Sequence, residues 1–167
     1  MGVAMEPTLA EFMRGWEAYQ RKLAAVLGPL TTEQLRLRAA PELWSVGLLG
    51  CHVVAARAGW LHRWLGEGGA EMAELDGWDE DETYVERSAA DLVRGLEKTW
   101  GLLASKVAGW TEADLAQEFR RPTPNAAGER PTRTRRWIVW HLLEHDLHHG
   151  GEISFSLGMH GIPGLDL

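Results

Sequence analysis

With a single cysteine, Cys51, the chain has no internal disulfide available, so a packed core must hold it together. Long apolar runs are missing too: nothing approaches the roughly 20 consecutive apolar residues that a bilayer-spanning helix requires. No basic start followed by an apolar segment marks export, and a reducing cytoplasm is the expected compartment. Positive charge is in short supply, with 17 Lys and Arg against 24 Asp and Glu, a formal net charge of -7 and a pI near 5.5. A nucleic-acid binder needs a basic footprint to displace counterions from phosphate, so that class is excluded, and without a spanning stretch no membrane partner is expected. Lysine is scarcest among the basic residues, and arginine supplies most of the positive charge. Tyr (2) and Phe (3) are few, whereas Trp reaches nine, so tryptophan carries the aromatic bulk. Strand-like alternation of any length is absent, and no internal repeat or low-complexity tract interrupts the chain.

What is present is helical periodicity. A chain of 167 residues with 45% hydrophobic content has enough apolar material for one core, which predicts a single domain over residues 1–167. Leu9, Phe12, Trp16, Leu23 and Val26 recur at three- and four-residue steps within residues 6–27, with Thr8 as the expected cap and Gly28-Pro29 as a stop. Thr31 and Gln34 have capping-box spacing for a short turn. Ser45 caps a second long helix to about Gly66. Residues 67–87 are Gly-rich and acidic; their Asp spacing does not match a calcium loop, and they read as a solvated crossover. Ser88 and Asp91 open a third helix with the stripe Leu92, Leu96, Trp100, Leu103 and Val107. Thr111 to Asp114 opens a short turn, and residues 120–131 are turn chemistry, a loop or irregular hairpin. A fourth helix spans residues 134–157 with Gly158 as its stop. These elements specify an all-α four-helix bundle with a long crossover between helices two and three.

The fourth helix carries the chemistry: four of the seven histidines fall within residues 137–153. At about 100° per residue, Ile138, Leu142, His145, His149, Ile153 and Ser156 lie within roughly 80° of one another. His145 and His149 therefore sit inside the apolar stripe, one turn apart, at a spacing that lets two imidazoles grip one divalent ion. His141 and Glu152 flank the stripe, and His148 points further away. On the second helix, His52 shares a face with Leu48, Leu49, Ala55, Ala56 and Gly59; alone it would read as a core histidine bonded to a carbonyl. His62 is expected at the surface, and Cys51 as a small core filler. His52 stands about 10 Å along its helix and His149 about 13 Å from the end of the fourth, so the heights match if the two helices run antiparallel. Three imidazoles with open coordination positions suit a catalytic metal. The arginines of residues 120–136 are expected at the other end of the fourth helix, Arg135 being about 15 Å from His145, paired with the acidic crossover or a neighbouring subunit.

Trp44-Ser45 followed by His52, then His145-Asp-Leu-His-His-Gly-Gly-Glu152 near the C-terminus, resembles the DinB/YfiT-like superfamily over nearly the whole chain. The resemblance implies a bundle in up-down-down-up order, a metal triad of His52, His145 and His149, a divalent ion such as nickel or zinc, and a homodimer. Characterised members of that family include mycothiol-dependent maleylpyruvate isomerase and bacillithiol or mycothiol S-transferases. The expected function is a metal-dependent transferase that activates a low-molecular-weight thiol against a small-molecule substrate. His141, His148, Asp146 or Glu152 would orient the ligands or move a proton. A metal-dependent hydrolase or a non-catalytic metal-binding stress protein are the alternatives.

Overall fold

The structure is a computed structural model that describes residues 7–79 and 86–166, with side chains from residue 9 onward. Glu6, the last acidic residues of the crossover and the rest of residues 80–85 lie outside the described residues. The first helix, α1 (Pro7–Leu27), begins at Pro7, a residue suited to a first helical position, one residue before the Thr8 expected as its cap. Its buried line is Met13, Trp16, Tyr19, Leu23 and Leu27; Phe12, expected in the stripe, is exposed. The short α2 (Thr32–Leu35) has the capping box that Thr31 and Gln34 announce. Ser45 caps α3 (Val46–Gly59) by accepting from the Leu48 N–H, and the helix then widens into a π-helical turn, Trp60–Trp64.

The crossover is more than a solvated loop. It contains α4 (Gly69–Asp76), from which Met72 and Leu75 enter the core together with the following Trp78. The Trp78 ring lies so close to Gly95 that a Cβ there would come within 2.7 Å of it. Composition hid this because the apolar anchors are spread among glycines and carboxylates, with no periodic run. After it come α5 (Ala89–Gly109), opened by the Ser88–Asp91 capping box, and α6 (Glu112–Ala116), opened by Thr111 and Asp114. Two short antiparallel strands, β1 (Glu118–Arg120) and β2 (Thr132–Thr134), pair Phe119 with Arg133, so the segment that the sequence leaves as a loop or irregular hairpin is a hairpin closed by strands the sequence does not announce. The last helix is α7 (Arg135–Gly158), capped by Thr134.

Helix α3 packs on α4, α5 and α7, and α1 packs on α5. It is buried nearly all round, from Val46, Leu49 and Cys51 to Val53, Val54 and Ala58, as an apolar helix at the centre of a bundle must be. Burial pushes the Cys51 thiol up to about 12, so this cysteine is an inert core filler, as expected from the sequence. Among the described residues no helix is long and apolar enough to cross a membrane.

One polar knot ties the four long helices together. Arg57 of α3 and Asp146 of α7 are both fully buried and form a bidentate ion pair, with Arg57 Nη2 2.7 Å from Asp146 Oδ2 and Arg57 Nε 2.9 Å from Oδ1. Trp16 of α1 donates its indole N–H to Asp146 Oδ2 at 2.6 Å, and Arg57 donates to the Leu96 carbonyl of α5 at 3.3 Å. Such a pair adds little net stability over an apolar substitute, but removing one partner typically costs about 3–5 kcal/mol because the other charge stays buried. What it fixes is rotation: Asp146 can meet Arg57 in only one setting of α7, and that setting decides where its neighbour His145 points.

Candidate metal centre

That setting turns His145 and His149 of α7 towards His52 of α3. The ring centroids lie 4.7 Å apart for His52 and His145, 4.7 Å for His52 and His149, and 4.4 Å for His145 and His149. Nε2 of His145 is 3.0 Å from Nε2 of His52, and one nitrogen from each ring lies within 4.8 Å of the others. Nitrogens bound to a tetrahedral ion at about 2.0–2.1 Å stand about 3.3 Å apart, so the three rings fit around one centre with little movement. As α3 advances from His52 through Arg57 to Trp60, its partners on α7 retreat from His149 through Asp146 to His141. The two helices therefore run antiparallel at the site, the arrangement the histidine heights require.

The protonation states suit ligation. Burial, reinforced by the neighbouring imidazoles, pushes His145 down to about 3. Burial also lowers His149, against the opposing effect of its hydrogen bond to the Glu152 carboxylate. Neutral rings keep their lone pairs available for a cation. The far nitrogens are held by carboxylates: Nδ1 of His52 meets Asp79, and Nδ1 of His149 lies 2.6 Å from Glu152 Oε2. Carboxylates placed behind ligating histidines orient the ring and raise its basicity. His145 Nδ1 is buried and has no hydrogen-bond partner among the described residues.

The other expected residues separate. His141 is not part of the triad: it stacks on Trp137 at 4.9 Å, meets Trp60 edge-on and approaches Glu144 at 3.3 Å. His148 is exposed, and its Nε2 lies 3.7 Å from Glu152 Oε1, so Glu152 contacts both His148 and His149. His62, expected at the surface, is half-buried in the π turn. His160 is tied to the Arg38 carbonyl at 2.8 Å, away from the triad.

Two clefts flank the three rings. A polar one of about 210 Å³ is lined by His52, Asp79, Trp60, Trp64, Arg63 and Arg121. An apolar one of about 390 Å³ is lined by His149 and Glu152 together with Leu43, Trp44, Leu49 and Phe155. Trp44 covers the rings from that side, its centroid 4.9 Å from that of His52. Sequence reasoning missed Asp79, Trp60, Trp64 and Arg121. Asp79 follows α4 and reaches His52 only because Met72, Leu75 and Trp78 anchor the crossover, a long-range fold that no local spacing reveals.

The arginines of residues 120–136 correct the sequence expectation in two ways. Among the described residues, three of them meet partners outside the crossover: Arg136 pairs with Glu112 at 2.6 Å, Arg133 lies over Trp137, and Arg135 lies over Trp110 and Phe119. Arg135 is buried, 8% exposed, and donates to the Asp114 carbonyl, so it is part of the packing and not a solvated ion pair. Arg121 lies in the polar cleft beside the triad, because the hairpin doubles back towards α3.

The same architecture occurs in solved structures. A DinB-like protein from Bacillus cereus ATCC 10987 superposes with a TM-score of 0.68 at 22% identity, over 93% of this chain and 95% of that one. A DinB-like protein from Bacillus subtilis gives 0.61 at 17% identity, over 94% and 96%. A conserved protein from Enterococcus faecalis gives 0.63 at 15% identity, over 93% and 99%. At these identities the likeness is one of fold. None of the curated proteins matches the chain significantly. The sequence model of the DinB superfamily matches residues 16–153, from Trp16 through all three histidines of the site, and the chain belongs to that superfamily.

Proposed function

We propose that His52, His145 and His149 hold one divalent ion, zinc or nickel, and that the protein is an enzyme transferring a low-molecular-weight thiol to a small electrophile. The observation that carries this reading is the position of the three rings between two clefts, with His52 lining one and His149 the other. Three nitrogen ligands leave coordination positions open, which a purely structural site would close with a fourth. The pairings of α1, α3, α5 and α7 support an up-down-down-up order for the bundle around it.

Held by His52, His145 and His149, a divalent ion would supply the positive charge that lowers the pKa of a nearby thiol, so that thiolate would be available near neutral pH. The chain's own part is orientation, proton handling and exclusion of water. Asp79 and Glu152 fix the His52 and His149 rings through their Nδ1 atoms. Glu152 also lines the apolar cleft and faces the exposed His148, so a proton released from the thiol can pass to its carboxylate and on to solvent. Leu43, Trp44 and Phe155 offer the electrophile an apolar surface beside His149. There sulfur forms a bond to the electrophilic carbon, and the leaving group departs with the electron pair of the bond it breaks.

Metal analysis after zinc loading tests the ligand set: wild type should retain stoichiometric zinc, His145→Ala should retain none, and His62→Ala and His160→Ala should match wild type. Full zinc occupancy in His145→Ala would overturn the site. Turnover of a generic electrophile with a panel of bacterial thiols, with and without zinc, tests the reaction. Zinc-dependent consumption that proceeds equally well without thiol would identify a hydrolase instead.

A further inference from the structure

The polar cleft holds one cation that the described chain does not neutralise. Arg63 is paired with Asp76, and Asp79 with His52. Arg121 is half-buried, and its backbone N–H is fixed to the Pro131 carbonyl at 2.9 Å, but its guanidinium has no ion pair or hydrogen bond among the described residues. Beside it the π turn re-aims α3 by one residue and brings Trp60, Arg63 and Trp64 into the same cleft; turns of this kind recur at functional sites. Trp60 and Trp64 stack at 4.5 Å and form an apolar wall. Gly59 leaves room for the Arg63–Asp76 pair, since a Cβ there would come within 2.5 Å of Asp76 Oδ1. The cleft thus combines an apolar wall, a guanidinium without a partner among the described residues and, through His52, one edge of the triad.

We infer that this cleft binds a small carboxylate-bearing thiol, with Arg121 holding the carboxylate, Trp60 and Trp64 packing on the carbon skeleton, and the sulfur directed past His52 to the triad. A guanidinium matches a carboxylate with two parallel N–H donors, which a hydroxyl or amine on the ligand would not use. At about 210 Å³ the cleft is below the roughly 300–1,000 Å³ of drug-sized sites, so the ligand has only a few carbons on this side. The inference deepens the thiol-transferase reading and rests on it for the sulfur; the carboxylate anchor is independent of metal.

Calorimetric titration of the metal-free protein separates the two. Mercaptosuccinate and succinate should both bind wild type, and 2-mercaptoethanol should bind far more weakly. Arg121→Gln should weaken mercaptosuccinate at least about tenfold, as loss of a charged hydrogen bond does, with Arg121→Lys in between. Arg133→Gln, whose arginine lies over Trp137 outside the cleft, should leave binding unchanged. Circular dichroism confirms that each variant is folded. Equal binding by wild type and Arg121→Gln, an equal loss in Arg133→Gln, or no preference for mercaptosuccinate over 2-mercaptoethanol would overturn the anchor. Loading with zinc should then tighten mercaptosuccinate and not succinate. If Arg121-dependent binding persists but zinc favours neither ligand, the carboxylate anchor stands and the route of the sulfur to the triad is overturned. If wild type takes up zinc yet binds neither acid, the cleft inference fails and the metal site does not.

Discussion

His145 is where burial and charge meet most sharply. Its ring is held neutral down to about 3 by desolvation and by its imidazole neighbours, while in the unfolded chain it titrates near the ordinary value of about 6.5. Below about pH 6.5 the unfolded state therefore binds a proton that the metal-free native state refuses. Stability falls as pH drops from about 6.5 towards about 3, with a slope from this residue of at most about 1.4 kcal/mol per pH unit. Urea unfolding of metal-free wild type and His145→Asn at about pH 6.5 and 5 should show the variant losing less stability over that interval. Identical losses would mean that His145 titrates normally in the fold. Asp79 acts on a different quantity. It touches His52 and not the proposed ion, so Asp79→Asn should leave the fold intact and lower zinc affinity about 10- to 100-fold, as loss of a supporting carboxylate does. Competition with a chromophoric chelator measures this, and unchanged affinity would remove Asp79 from the site.

Elements are set against one another by a few close approaches. On α7, Gly150 faces α1, and a Cβ there would come within 1.9 Å of the Tyr19 hydroxyl, which also donates to the Asp146 carbonyl at 3.2 Å. Gly150→Ala should therefore cost about 1–3 kcal/mol, the usual range for overpacking a core. Pairing it with Tyr19→Phe, which removes the atom in the way, should recover part of that loss in a double-mutant cycle by chemical denaturation. Additive costs would show that the helices shift apart instead. Acidic residues and glycines dominate the composition of residues 67–87, yet Met72, Leu75 and Trp78 decide the position of the crossover. Three apolar anchors without a period are invisible locally and become significant only against the groove between α3 and α5.

For the whole molecule, an ion held by His52, His145 and His149 would be a clamp between α3 and α7. A ligand that binds only the native state at about 100 times its Kd adds about 2.7 kcal/mol, and a chain of this size gains about 2–4 °C per kcal/mol. Zinc should therefore raise the melting temperature by on the order of 5–10 °C in calorimetry, chelator should reverse the rise, and His145→Ala should abolish it. A shift of the same size in His145→Ala would place the stabilising zinc elsewhere, with the His148, His149 and Glu152 group the nearest alternative.

Periodicity, caps and stop signals are local, and the sequence alone determined from them the long helices, the capping residues Thr31, Ser45, Ser88 and Thr111, and the histidine stripe on α7. The pairing of His145 and His149 was legible because one helix carries both at a fixed separation. His52 was reachable by matching heights along two helices, which needs only the rise per residue. The rotation of α7 was not legible, because it depends on Arg57 and Asp146 finding each other 89 residues apart in an interior where neither charge can stay alone. Nor were the Asp79 contact, the π turn or the return of Arg121 to the cleft. Each depends on where a distant segment comes to rest, and that is settled by apolar burial over the entire chain.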